Sequence, residues 1–239
     1  MPLQTVEPQR LYRQIAEQLR SLMTRGEFTP GSRLPAERDL ARQLGVSRPS
    51  VREALIALEV EGWVEVRTGS GVYVLARNGA SNGHPPQVPA SEWGPLELLR
   101  ARRLVEGEIA ALAATNAKRR HVQAISEAID LMREEVDRGD GALEGDRAFH
   151  AAVAQASDNA VLLDTVHTFW DARHGPLFER LGGHFETAAV WRLAIAEHET
   201  VLAAIRKRDA DAARTAMQQH MDKTNSRFSA SWRRAPSST

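Results

Sequence analysis

At 239 residues the chain exceeds the usual size of one domain, and its 42% of apolar residues suffices for a substantial core. No run of about 18 apolar residues marks a membrane span, no cysteine offers a disulfide framework, and the start MPLQTVEPQR lacks the basic-then-apolar order of a secretory signal, so a cytoplasmic chain of two domains is expected. A formal net charge of +0 excludes a uniformly basic coat and leaves local charge to decide any nucleic-acid contact; residues 1–77 hold eleven Arg against nine Asp and Glu.

The first patterned stretch runs from Ala36 to Val74. Ala36 to Gln43 reads as a short amphipathic helix with Leu40 and Leu44 on one side, Gly45 as a positive-φ break and Val46 as the plug between two helices. Ser47 caps the second helix, where Val51, Leu55 and Leu58 recur at core spacing while Ser47, Arg48, Ser50 and Arg52 crowd the first turn and a half with hydrogen-bond donors. A recognition helix is polar there because its N-terminal residues reach base edges in the major groove. Past Gly62 the period changes to two: Trp63 to Val66 is one strand, Thr68-Gly69-Ser70-Gly71 turns the chain, and Val72 to Leu75 returns. Arg67, Thr68 and Gly69 fall at the tip of this wing, placed for phosphate or the minor groove. Two short helices joined by glycine occur in many bundles, but the wing and the donor-rich capping turn select DNA binding.

The expected division is a winged helix-turn-helix over residues 1–76, a Gly/Pro/Ser/Asn-rich linker over 77–92, a helical domain over 93–230 and a disordered tail over 231–239. From Pro95 to about Phe228, helical periodicity alternates with short breaks and no strand pattern intervenes, which predicts an all-α bundle of six or seven helices and a mostly α chain.

Within that bundle, ionisable residues stand where apolar stripes require apolar ones. The stripes are Leu143, Asp146, His150, Val153; then Trp191, Ile195, His198, Leu202, Ile205; then Ala213, Met217, His220, Thr224. An isolated buried histidine is more often hydrogen-bonded structure than ligand, but interrupting three stripes at once suggests that Asp146, His150, His198 and His220 converge on a divalent metal, with zinc, nickel and iron all suited to the donors. Arg102 interrupts a fourth row, Leu98, Arg102, Val105, Ile109, Leu112; it either pairs with Glu106 one turn on or faces the metal cavity, where a carboxylate would bind both. His84, His121, His167, His174 and His184 read as solvated or structural. A metal-dependent hydrolase would need a general base, and no further Glu or Asp is placed for one, so no catalytic residue is assigned. A pure metal sensor would have little use for Arg102.

The segment LYRQIAEQLRSLMTRGEFTPGSRLPAERDLARQLGVSRPSVREALIALEVEGWVEVRTGSGVYV resembles the DNA-binding head of GntR-family transcription regulators. LLRARRLVEGEIAALAA, DRAFHAAVAQASDNAVL and EHETVLAAIRKRDADAARTAMQQHM resemble the FCD effector domain of the FadR subfamily. The resemblance implies DNA contacts by Arg38, Ser47, Arg48, Ser50, Arg52 and Gly69, a metal quartet of Asp146, His150, His198 and His220, and an effector carboxylate held by Arg102, with Arg100 standing where many members carry Glu. It also implies a homodimer on palindromic operator DNA. Similarity of GPLELLRARRLVEGEIAALAA and FWDARHGPLFERL to hexuronate-pathway repressors of the UxuR and ExuR kind implies a sugar-acid effector, with lactate, pyruvate, another small acid or the metal itself as alternatives.

Overall fold

The computed structural model describes residues 10–67, 69–76, 88–89, 92–182 and 187–230; Thr68, His84, His184, nearly all of the expected linker and the expected tail lie outside them. Helices α1 (Leu11–Thr24), α2 (Glu37–Leu44) and α3 (Arg48–Val60) lead into the antiparallel pair β1 (Val64–Arg67) and β2 (Gly71–Val74). Tyr12, Ile15, Leu19 and Met23 recur every three or four residues, so α1 buries one stripe and packs against α3. Gly45 closes α2 at φ 66°, where a side chain would be strained, and Ser47 accepts the amide of Ser50 to cap α3. In the wing Val64 pairs with Val74 and Val66 with Val72, as the period-two reading expects, with both strands displaced by one residue from the predicted bounds.

Seven further helices follow: α4 (Pro95–Asn116), α5 (Arg119–Arg138), α6 (Leu143–Ala156), α7 (Ala160–Asp171), α8 (Pro176–Gly182), α9 (Ala188–Arg206) and α10 (Ala210–Ala230), with a 3-10 turn at Ala172–His174 between α7 and α8. The described residues thus form ten α-helices and one two-stranded sheet, the mostly α architecture expected. α5 packs on α6 and α9, and Ile125, Ile129, Met132, Phe149, Val153 and Met217 are among the buried side chains of this bundle.

The chain separates into two compact units. One holds the described residues up to Glu97 together with Gly175–Leu181; the other holds Leu98–His174 and Gly182–Phe228. α8 therefore clusters with the DNA-binding head, a membership that local periodicity does not encode. Within that first unit two buried glutamates each accept a backbone amide at a helix start: Glu53 takes the amide of Glu97 in α4 at 2.8 Å, and Glu92 takes that of Leu177 in α8 at 3.0 Å. Glycines stand beside both carboxylates. A Cβ added at Gly94 would lie 2.6 Å from the carboxyl carbon of Glu53, and one at Gly175 would run into Glu92.

Candidate metal centre and nucleic-acid interface

Helix α6 presents Asp146 and His150 one turn apart, α9 brings His198 and α10 brings His220. All four are buried, and one ligand atom from each lies within 4.8 Å of the others. Asp146 Oδ1 is 3.5 Å from His150 Nε2 and 3.4 Å from His198 Nε2, and His198 Nε2 is 3.2 Å from His220 Nε2. Asp146 Oδ1 and His150 Nε2 are buried with no hydrogen-bond partner among the described residues. Orphaned atoms of this kind are costly, and three imidazole nitrogens with one carboxylate oxygen are donors a divalent ion takes, so the set fits one.

The far sides of these groups are engaged. His150 Nδ1 lies 2.5 Å from Glu106 Oε2, His220 Nδ1 lies 2.9 Å from Glu197 Oε2, His198 Nδ1 lies 3.1 Å from Met132 Sδ, and Asp146 Oδ2 accepts from Arg173 at 3.2 Å. A carboxylate at Nδ1 favours the tautomer with its proton there, which leaves the Nε2 lone pair for the centre. Burial pushes the Glu106 carboxyl up, but Arg102 and His150 together overcome it and hold it at about 2. Burial likewise opposes ionisation of Asp146, yet His150, His198 and Arg173 hold it well below the usual carboxylate range. Burial lowers His198 and His220, keeping both neutral and metal-competent, whereas for His150 burial is outweighed by Glu106, so this imidazole is raised.

Arg102 takes the first of its two sequence readings, the pair with Glu106. It is 3% exposed, its Nε donates to Glu106 Oε1 at 2.5 Å, and Glu106 in turn faces His150. Arg100 is exposed and leaves this pair undisturbed. The buried stripe of α4 includes Leu98, Arg102, Glu106 and Ile109, while Leu112 is 41% exposed; the stripe is rotated from the predicted row, which is how Glu106 enters the core. Leu143 on α6 is exposed as well.

Four further residues complete the centre. Glu106, Glu197, Trp170 and Arg173 were not assigned from the sequence, although Glu197 adjoins His198 and Glu106 lies one turn past Arg102. Trp170 sits 5.7 Å from the His150 ring, with the guanidinium of Arg102 at 5.0 Å and that of Arg173 at 4.3 Å from its own.

In the head, the six predicted contact residues within the described chain differ sharply in exposure. The Arg38 side chain is 79% exposed and that of Arg48 45%, and both line a surface groove that also includes Arg33, Arg67 and Gly69. Arg52 is only 4% exposed and forks onto Glu37, Nε to Oε1 at 2.8 Å and Nη2 to Oε2 at 2.7 Å. Ser50 is buried with its hydroxyl 2.9 Å from that of Ser47. Gly69 adopts φ 75° at the wing tip, a conformation glycine tolerates.

A winged helix head joined to a helical unit with a buried polar centre defines a ligand-responsive DNA-binding protein in outline. Family models make this specific: residues 11–74 match the bacterial regulatory proteins of the gntR family and residues 97–223 match the FCD domain. The chain belongs to the gntR family of transcription regulators and carries an FCD domain behind its DNA-binding head. It is 39% identical to the Uxu operon transcriptional regulator of Escherichia coli K12, over 92% of this chain and 87% of that one. Identity to the Exu regulon transcriptional regulator of the same strain is 37%, over 93% and 86%. A putative L-lactate dehydrogenase operon regulatory protein from that strain is 34% identical over 90% and 85%. Among solved structures, E. coli McbR/YncC aligns at a TM-score of 0.50 and 24% identity, covering 92% of this chain and 97% of that one, which supports the fold alone. These relatives are regulators, and the hydrolase reading is set aside. No helix among the described residues is long and apolar enough to cross a membrane.

Proposed function

We propose that the protein is a homodimeric repressor of a sugar-acid catabolic operon, released from a palindromic operator when a hexuronate-type carboxylate binds beside a divalent metal in the FCD domain. The observation that carries this reading is the buried Asp146, His150, His198 and His220 set next to Arg102, in a chain similar over nine-tenths of its length to Uxu and Exu regulators. Those four residues hold the ion, zinc being the first candidate, and the ion supplies a cationic anchor for a carboxylate. Charge supports an anionic guest. The buried pair Arg102–Glu106 and the part-buried contact Arg173–Asp146 each set a cation against an anion, so a divalent ion adds positive charge to a region that solvates charge poorly.

Arg48 and Arg38 reach the DNA, Arg48 toward base edges and Arg38 toward phosphate. Arg52 braces Glu37 and thereby fixes α2 against α3. Arg48→Ala is expected to weaken operator binding about 5- to 150-fold, the range set by a guanine contact worth roughly 1–3 kcal/mol. Arg52→Ala is expected to lower the stability of the head as well, because Glu37 loses its buried fork. Anisotropy on operator DNA together with thermal unfolding separates the two. Equal operator affinity for wild type and Arg48→Ala would remove Arg48 from the interface.

The function itself is tested by anisotropy of zinc-loaded protein on DNA from its own upstream region at fixed salt, titrated with D-galacturonate, D-glucuronate, L-lactate and pyruvate. A uronate is expected to weaken binding about 5- to 150-fold, corresponding to roughly 1–3 kcal/mol of coupling. Selective DNA binding that no uronate alters, but lactate or pyruvate does, would replace the sugar acid with a small one.

A further inference from the structure

We propose that Arg33, on the strand edge beside the wing, is a phosphate anchor of the DNA-binding head, a preplaced cation that holds the DNA backbone and adds affinity without sequence preference. This rests on the reading that the groove between α2, α3 and the wing meets DNA, and adds to it a residue that neither helical spacing nor the capping turn of α3 marks. Arg33 precedes α2, yet the fold brings it to the wing. The Gly31 amide donates to the Val74 carbonyl at 2.8 Å, the Val74 amide to the Ser32 carbonyl at 3.0 Å and the Leu34 amide to the Val72 carbonyl at 2.8 Å. Residues 31–34 thus run along β2 as an antiparallel edge in which Arg33 opposes Tyr73. Opposed residues of an antiparallel pair share a face, and so do residues two apart along a strand. Arg33, Glu65, Arg67, Gly71 and Tyr73 therefore stand on one face of the wing, while the buried Val64, Val72 and Val74 turn the other way. Gly71 is where the arginine rests. A Cβ added there would run into Arg33 Nε and lie 3.0 Å from its Cζ, so the guanidinium occupies space that a side chain would take. That lodging restricts the long side chain beforehand, and less freedom is lost on binding.

Charge separates Arg33 from its neighbours. The same groove holds Arg38, Arg48 and Arg67, and each has a carboxylate at hand: Asp39 at 3.7 Å, Glu37 at 3.6 Å and Glu65 at 2.9 Å. Arg33 is exposed, and its side chain has neither an ion pair nor a hydrogen bond among the described residues. A paired arginine that turns to a phosphate gives up or shares its carboxylate, which stays beside the DNA as a like charge. Arg33 incurs neither cost. Its planar fork matches the two free oxygens of a phosphodiester. A contact of this kind positions the protein on any duplex and reads no base.

Anisotropy on DNA from the protein's own upstream region and on a scrambled duplex of equal length, repeated between about 50 and 200 mM salt, tests this. Wild type, Arg33→Met, Arg33→Lys and Arg25→Met are compared, with thermal unfolding of each. Loss of one phosphate contact flattens the slope of log affinity against log salt by about 0.9 per protomer. Arg33→Met is therefore expected to bind both duplexes more weakly by one common factor, which shrinks about 3.5-fold per protomer across that salt range. Arg33→Lys keeps the charge and is expected to keep the wild-type slope. Arg25→Met removes an equal charge at the end of α1, where Arg25 faces Glu27, and is expected to leave the slope unaltered. A wild-type slope in folded Arg33→Met, or an equal flattening in Arg25→Met, overturns the inference. So does a loss confined to the upstream duplex, which would make Arg33 a reader of bases. Should Arg33→Met lose stability, Arg33→Gln decides by the same slope. Wild type that binds both duplexes alike overturns the operator reading alone, because the slope is read on either DNA.

Discussion

Glu106→Gln is expected to destabilise the metal-free protein by about 3–5 kcal/mol, the cost of removing one partner from a buried charge pair. Glu106 is 1% exposed and lies against both Arg102 and His150, so neutralising it strands one guanidinium and one raised imidazole inside the bundle. Titration leads to the same scale. A carboxyl held at about 2 in the fold against an ordinary 4.5 contributes on the order of 3 kcal/mol. Because the folded value is depressed, that contribution is complete above pH 4.5 and disappears as pH falls from 4.5 to about 2; depressed Asp146 acts with the same sign. His150, being raised, contributes below its ordinary 6.5 and loses that contribution as pH climbs through its folded value. Chemical denaturation of chelator-treated protein across pH 2–8 should therefore give wild type a steep acid limb and Glu106→Gln a flatter one. A destabilisation below about 1 kcal/mol at neutral pH would mean that Arg102 finds another anion.

Zinc affinity is expected to drop by more than 100-fold in His198→Ala and in His220→Ala, measured by competition with a chromophoric chelator. Each change deletes a buried donor from a set of four and leaves no neighbouring side chain to replace it among the quartet. Glu197→Gln is expected to lose less, about 10- to 100-fold, because it only orients the His220 ring and polarises its Nδ1–H. This ordering matters more than either value. A Glu197 effect as large as the His220 effect would point to collapse of the α9–α10 packing, and full zinc retention in both histidine variants would place the ion elsewhere.

The head was legible because its signals are local. Gly45, the Ser47 cap and the alternation of Val64, Val66, Val72 and Val74 each encode their own conformation within a few residues. The convergence of Asp146, His150, His198 and His220 on one buried cluster was legible for a related reason: they break helical stripes that are otherwise apolar. Glu106 and Glu197 were harder to read, since a glutamate on an amphipathic helix ordinarily faces water, and only the packed orientation of α4 and α9 shows these two turned inward. Arg52 has a partner that donor spacing does not reveal. Its place in the first turns of α3 suggests reach toward DNA, but Glu37, fifteen residues earlier, captures it, a pairing that requires the angle between α2 and α3 to be known. Trp170 and Arg173 lie at a helix end and in a 3-10 turn, where no periodicity marks an inward face.

The carboxylates that occupy the space beside Gly94 and Gly175 constrain how this protein can be recombined with its relatives. Glu53 belongs to α3 and Gly94 follows the linker, and a side chain at position 94 would push the Glu53 carboxylate away from the amide it accepts at the start of α4. Chimeric regulators are naturally spliced in the linker, between residues 77 and 92, which would pair the Glu53 of one parent with whatever the other carries at 94. A junction after Glu97 keeps lock and keyhole from the same parent. Among natural homologues the same steric exclusion should leave a trace: lineages that acquire a side chain at position 94 should have shortened the residue at position 53, and those that fill position 175 should have done the same at position 92.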